Sequence, residues 1–279
     1  MKKLLSFLLI MAVVTVTTFA GGKKAAVPEP QTTASQTSPV AVPQVVAPPV
    51  VITLAAAASL EKAFTGELIP AWLKDHPTVT IEGVYDSSGR LQTQIENGLS
   101  ADVFFSAATR QMDALVKGGY IDAQVVSPLL ENKIVLIKPQ GRATTVTAFD
   151  NIQRAATIAV GDPKVVPAGQ YAQEALTTIG NWNAIQGKVS LGSNVTEVLN
   201  WVAEASAEVG IVYATDAASQ PKVEVVAPLP AGVLATPVIY PAAPLKASAH
   251  GKEAADFIVF LKSPTAAAIF EKYGFALVK

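Results

Sequence analysis

Four short segments place small or hydroxyl-bearing residues where an apolar run gives way to a helical pattern. They are Ala55-Ala56-Ala57-Ala58-Ser59, Asp86-Ser87-Ser88-Gly89, Pro167-Ala168-Gly169 and Ser193-Asn194-Val195. Small side chains let a ligand approach the backbone closely. Helix N-termini present N–H groups without intrahelical acceptors, at the positive end of the helix dipole. Several of them converging would hold an anion without any lysine or arginine. One such turn is an ordinary helix cap. Four in one chain point to binding of an anion or another small molecule.

Enzymatic chemistry finds less support. Asp86, Asp102, Asp162 and Asp216 fall at strand ends or turns, where capping and turn formation account for them. Ser59 and Ser88 have no base nearby in sequence, and the G-x-S-x-G pattern of a nucleophile elbow is absent. No phosphate-binding loop of the Walker type occurs. The two histidines, His76 and His250, stand far apart, which disfavours a histidine metal cluster. Trp72, Trp182 and Trp201 lie in helical patterns as packing residues.

These turns must be positioned by an alternation of strands and helices. Apolar runs at Val51–Leu54, Val79–Tyr85, Asp102–Phe105, Lys133–Lys138, Ile158–Val160, Gly210–Tyr213, Val223–Val226 and Val238–Tyr240 read as strands. Helical spacing follows Ser59, Gly89, Ala168 and Asn194, and recurs at Met112–Lys117, Lys252–Leu261 and Pro264–Lys272. The alternation predicts α/β layers with largely parallel sheets. Ligands in such folds sit beyond the carboxyl ends of strands, where the four turns lie.

The remaining chain is of two kinds. Residues 1–20 carry a basic start, an apolar stretch from Leu4 and a small residue at Ala20, and read as a secretory signal peptide. The alternative is an uncleaved anchor helix that would tether the protein. Residues 21–50 are rich in Pro, Ala and Val, with six prolines from Pro28 to Pro49, and read as a disordered or semi-rigid linker. The 279 residues carry a net charge of −1 and no cysteine. That balance offers no basic field for nucleic acid, and it excludes disulfides and thiol catalysis.

Several motifs together resemble the periplasmic molybdate-binding proteins of ABC transporters. They are Ala56-Ala57-Ala58-Ser59-Leu60, Ser87-Ser88-Gly89-Arg90-Leu91, Gln94 to Gly98, Ala101 to Ala107, Ala159 to Pro163, Val166 to Ala172, Gly210 to Ala217 and Phe270 to Phe275. They follow the family order over nearly all of residues 51–279. The resemblance implies a bilobal α/β fold of the type II periplasmic binding proteins, two lobes joined by two hinge crossovers. Residues 51–132 with 237–279 would form lobe I, and 133–236 lobe II. Ser59 and Ser88 would bind the ligand from lobe I through hydroxyl and backbone N–H. Ala168 and Val195 would offer backbone N–H groups from lobe II, and Tyr213 its phenol. Molybdenum would be held through its oxygens, with no direct metal ligand, no cofactor and no catalytic residue. The partners would be the oxyanion and an ABC permease, with no nucleic acid. A monomer suits that role.

The chemistry of the anion agrees with such a donor set. Molybdate at neutral pH is an unprotonated dianion whose oxygens only accept hydrogen bonds, and N–H and O–H donors alone suit it. Tungstate is nearly the same size and should also bind. Sulfate is a bare dianion too, so a sulfate-type oxyanion protein is the alternative binder, and an exported serine hydrolase using Ser59 or Ser88 is the alternative of another class. Asp86 departs from the pattern. At about 6 Å and an effective dielectric near 20, its carboxylate would cost about 3 kcal/mol per unit of ligand charge. Strand alternation is expected to turn it outward, to solvent or Arg90.

Overall fold

The computed structural model describes residues 50–278. The expected signal peptide and all of the expected linker except Val50 lie outside the described residues; Val50 already belongs to the first strand. Two separate sheets organise the chain. The first contains β1 (Val50–Ala57), β2 (Val79–Asp86), β3 (Val103–Phe105), β4 (Ser127–Asn132), β10 (Val238–Pro244) and β11 (Ala276–Leu277), in the order β11-β4-β10-β3-β1-β2. The second contains β5 (Ile134–Pro139), β6 (Ile158–Gly161), β7 (Val189–Gly192), β8 (Val209–Tyr213) and β9 (Val223–Pro228), in the order β7-β6-β8-β5-β9. The chain passes from one sheet to the other at Lys133 and returns between Pro228 and Val238. The fold is therefore bilobal and α/β, as the resemblance implied.

The sheets are mixed rather than largely parallel. β1 pairs in parallel with β2 and β3, and β6 with β7 and β8. β10 pairs antiparallel with β3 and β4, and β5 antiparallel with β8 and β9. The antiparallel strands β4, β5 and β10 flank the crossings between the sheets, where β4 runs into β5, and β9 into β10, with no helix between them.

Alternation along the first sheet explains its continuous apolar runs. Leu54 and Ala56 face one core while Ala55 faces another, and Phe105 and Phe104 divide in the same way. Helices cover both faces, so both sets of side chains are buried. One face carries a helical stretch running from Ala58 through α1 (Glu61–Ala63) to α2 (Ile69–Leu73). Leu60, Phe64, Leu68 and Trp72 anchor it, and Phe64 meets Phe105 edge-on at 5.7 Å. α9 (Gly251–Leu261) and α10 (Pro264–Lys272) pack into the same core through Phe257 and Phe270. The other face carries α3 (Ser88–Glu96) and α4 (Thr109–Lys117), which bury Leu91, Ile95, Met112 and Leu115. In the second lobe α5 (Pro167–Ile179), α6 (Trp182–Ile185), α7 (Val195–Ala203) and the short α8 (Ala214–Ala218) surround the sheet. No helix among the described residues is long and apolar enough to cross a membrane.

Candidate functional site

Strand register brings the four turns together in pairs. Ala57 lies opposite Asp86 in the parallel β1–β2 pair, so the turns carrying Ser59 and Ser88 leave the sheet side by side. Gly161 lies opposite Gly192 in β6–β7, which does the same for the turns leading to Ala168 and Val195. Asp162 N–H donates to Gly192 O at 2.8 Å and fixes that second pair. Tyr213 ends β8 beside them.

All five residues expected to bind, Ser59, Ser88, Ala168, Val195 and Tyr213, line one cavity of about 200 Å³ of atom-free space. Ser88, Ala168, Val195 and Tyr213 are buried, and Ser59 is half-buried. Ala168 and Val195 occupy the first turns of α5 and α7, where N–H groups have no acceptor within the helix. In α7 the Asn194 side chain takes the Glu197 N–H at 3.0 Å, and the Glu197 carboxylate takes the Ser193 N–H at 2.6 Å.

Each hydroxyl of the site is oriented by a neighbour. Ser88 Oγ accepts the Ala107 N–H at 2.9 Å, which leaves its own proton to donate. The Tyr213 phenol donates to the carbonyl of the same Ala107 at 3.3 Å. Ser59 Oγ and Tyr240 Oη are 3.1 Å apart, and Asn132 Nδ2 donates to Tyr240 Oη at 3.2 Å. With Asn132 donating to its oxygen, Tyr240 has its own hydrogen free to donate to Ser59 Oγ, and in that arrangement the Ser59 proton is left for a ligand. Burial pushes the phenols of Tyr213 and Tyr240 well above the ordinary tyrosine range, so both stay protonated; a ligand taking the Tyr213 proton would displace the Ala107 carbonyl as its acceptor. Nothing in the sequence singled out Tyr240, Asn132 or Ala107 as supports of the site. They act through a strand neighbour, a lobe crossing and a backbone peptide.

Asp86 is the one charged residue on the cavity wall. Its Oδ1 accepts the Ser87 N–H at 2.7 Å and lies 3.4 Å from Asn194 Nδ2, and its Oδ2 lies 3.6 Å from the Arg90 guanidinium. The carboxylate pairs with Arg90 as expected, but Asp86 is not turned away from the cavity, whose wall it helps to form. Asp86→Asn keeps an acceptor for Ser87 and removes the charge. It should tighten binding of an anionic ligand by about tenfold at low salt, an effect that fades as salt rises. Titration calorimetry of the variant at two ionic strengths measures this.

Several bonds cross between the lobes around the cavity. Gly89 N–H donates to Val165 O at 2.9 Å, Gln111 Nε2 to Gln170 Oε1 at 3.1 Å, and Lys62 Nζ to the Ser219 carbonyl and hydroxyl at 3.0 Å. The lobes are closed on one another. A second crevice, lined by Glu61, Lys62, Asn200, Ser219 and Lys272, offers no free cation, because Ser219 holds Lys62 and Glu67 holds Lys272.

Behind Tyr213, the Asp216 carboxylate accepts the Tyr213 N–H at 3.1 Å and caps α8. Burial pushes its pKa up to about 7. The unfolded chain would lose that proton near pH 4. Between those values the folded state binds more protons, so stability falls as pH rises, by up to about 1.4 kcal/mol per pH unit. Asp216→Asn should flatten that slope in denaturant titrations from pH 4 to 7.

The serines do not meet a base. His76 stacks on Trp72 with ring centroids 3.9 Å apart and contacts the Trp72 carbonyl, and His250 precedes α9. Neither ring is hydrogen-bonded to Ser59 or Ser88. No group of three or more His, Asp or Glu side chains among the described residues could hold a metal ion.

Residues 52–276 match the bacterial extracellular solute-binding proteins. The chain belongs to that family. It is 40% identical over 224 residues to YvgL of Bacillus subtilis (strain 168), whose assigned name is ABC transporter substrate-binding lipoprotein; the match covers 80% of this chain and 85% of YvgL. It is 35% identical to the molybdate-binding protein ModA of Escherichia coli (strain K12), over 81% of this chain and 89% of ModA. Among solved structures, the substrate-binding domain of a protein assigned as a molybdenum ABC transporter from Clostridium difficile superimposes with a TM-score of 0.64 at 33% identity, covering 82% of this chain and all of that one. The family description and the names of these relatives are all of solute binding.

Proposed function

We propose that the protein captures molybdate, and tungstate with it, between its two lobes and delivers it to the permease of an ABC transporter. One observation carries the reading. The cavity is lined by donors from both lobes, namely Ser59 and Ser88 with Ala168, Val195 and Tyr213, and by no lysine or arginine. An acceptor-only dianion suits that set, and the names of the relatives point to the same solute. Sulfate meets the same donor chemistry, so size has to discriminate, through the separation at which the lobes hold their donors.

The mechanism is capture by closure. The anion contacts both lobes only when they are closed, and that differential contact shifts the population toward the closed form. Residues 51–132 with 237–279 move against 133–236, with hinges near Asn132-Lys133 and Thr236-Pro237. The closed form docks on the permease. The protein acts outside the cytoplasm as a monomer, exported by residues 1–20 and held on the linker of residues 21–49.

Thermal unfolding with molybdate, tungstate, sulfate and phosphate at matched ionic strength tests the ligand. A ligand at a hundred times its Kd stabilises by about 2.7 kcal/mol, or roughly 5–11 °C for a chain of this size. A rise with molybdate and tungstate alone is expected. A rise with sulfate alone would select the alternative oxyanion.

A further inference from the structure

We propose that the Ser87 hydroxyl is a further ligand of the bound oxyanion, beside Ser88. The inference rests on the oxyanion reading given above and adds to it a residue that looks, in sequence, like an ordinary helix cap.

Ser87 occupies the N-cap position of α3, and its side chain makes no capping bond there. It is 3% exposed and lines the cavity. Its other polar atoms are satisfied, since its N–H donates to Asp86 Oδ1 at 2.7 Å and its carbonyl accepts the Leu91 N–H at 3.0 Å. Its Oγ alone has no partner. The other hydroxyls on the wall are all engaged. Ser59 pairs with Tyr240, Ser88 with Ala107 N–H and Tyr213 with Ala107 O. Buried polar groups without a partner are rare in native proteins, and each calls for an explanation. An acceptor-only tetrahedral anion between the lobes supplies the acceptor that this hydroxyl lacks. The nearest protein carboxylate does not compete, because Asp86 is committed to the Ser87 N–H, Asn194 and Arg90.

The test is calorimetric titration of sodium molybdate into the full protein and into Ser87→Ala and Ser87→Gly, with the ligand-free unfolding midpoint of each. Glycine is nearly as good an N-cap as serine, so the pair separates loss of the hydroxyl from loss of a cap. Both variants should bind molybdate about tenfold or more weakly, with ligand-free midpoints at or above that of the parent. Unchanged affinity in both variants, with the parent binding, would overturn the role of Ser87 and leave the oxyanion reading standing. So would a lowered midpoint in Ser87→Ala alone with affinity lost in parallel, since that is the signature of a cap. A parent that binds no molybdate would overturn both.

Discussion

Replacing Gly169 by alanine is expected to lower the unfolding midpoint by about 2–12 °C and to weaken molybdate binding by about 10- to 100-fold. The cause is backbone against backbone. A Cβ at Gly169 would sit 1.9 Å from the Gly161 carbonyl oxygen and 2.5 Å from its carbon. Neither atom can rotate away, so the first turn of α5 must lift off the end of β6. Overpacking of this kind costs about 1–3 kcal/mol, and each kcal/mol is worth about 2–4 °C in a chain of this size. The same turn carries the Ala168 N–H proposed to hold the anion, and a hydrogen bond to a charged group contributes about 1.5–3 kcal/mol. A melting curve and a molybdate titration of Gly169→Ala measure the two effects separately. A variant with full affinity would show that Ala168 is not a ligand.

The second large effect is at Ser59. Ser59→Ala removes one donor to a dianion and should weaken molybdate binding by about 10- to 100-fold. Tyr240→Phe tests how that donor is prepared. It keeps the Ser59 hydroxyl but breaks the chain from Asn132 through Tyr240, so a smaller loss of about three- to tenfold is expected. Titration calorimetry of the two variants and of the double variant measures their coupling. Independent, additive losses would mean that Tyr240 packs beside Ser59 without orienting it.

Much of this architecture was legible because buried strands of an α/β fold are written as apolar runs and its helices as periodic ones. β1, β3, β6 and β8 were readable on that ground. β4 was not, because Pro128 and the polar end Glu131-Asn132 interrupt Ser127–Asn132. β7 is four residues long and exposes Ser190 and Leu191. The antiparallel placement of β5 and β10 was hidden as well, since pairing direction is set by how the chain crosses between lobes and leaves no local pattern. The candidate site was legible as a set of turns, and motif resemblance selected Ser59, Ser88, Ala168 and Val195 from them and added Tyr213 at the end of β8. The supporting hydroxyl chain was not legible. Tyr240 reads as one more aromatic in a strand, and Ser87 as a cap; only their partners, or the lack of one, distinguish them.

A crystal of the protein grown with molybdate, with diffraction recorded across the molybdenum absorption edge, tests oxyanion capture most directly. One molybdenum peak is expected between the lobes, its oxygens within hydrogen-bonding reach of Ser59, Ser88, Ala168, Val195 and Tyr213. A peak elsewhere, or none at saturating molybdate, would contradict capture of this anion in this cavity.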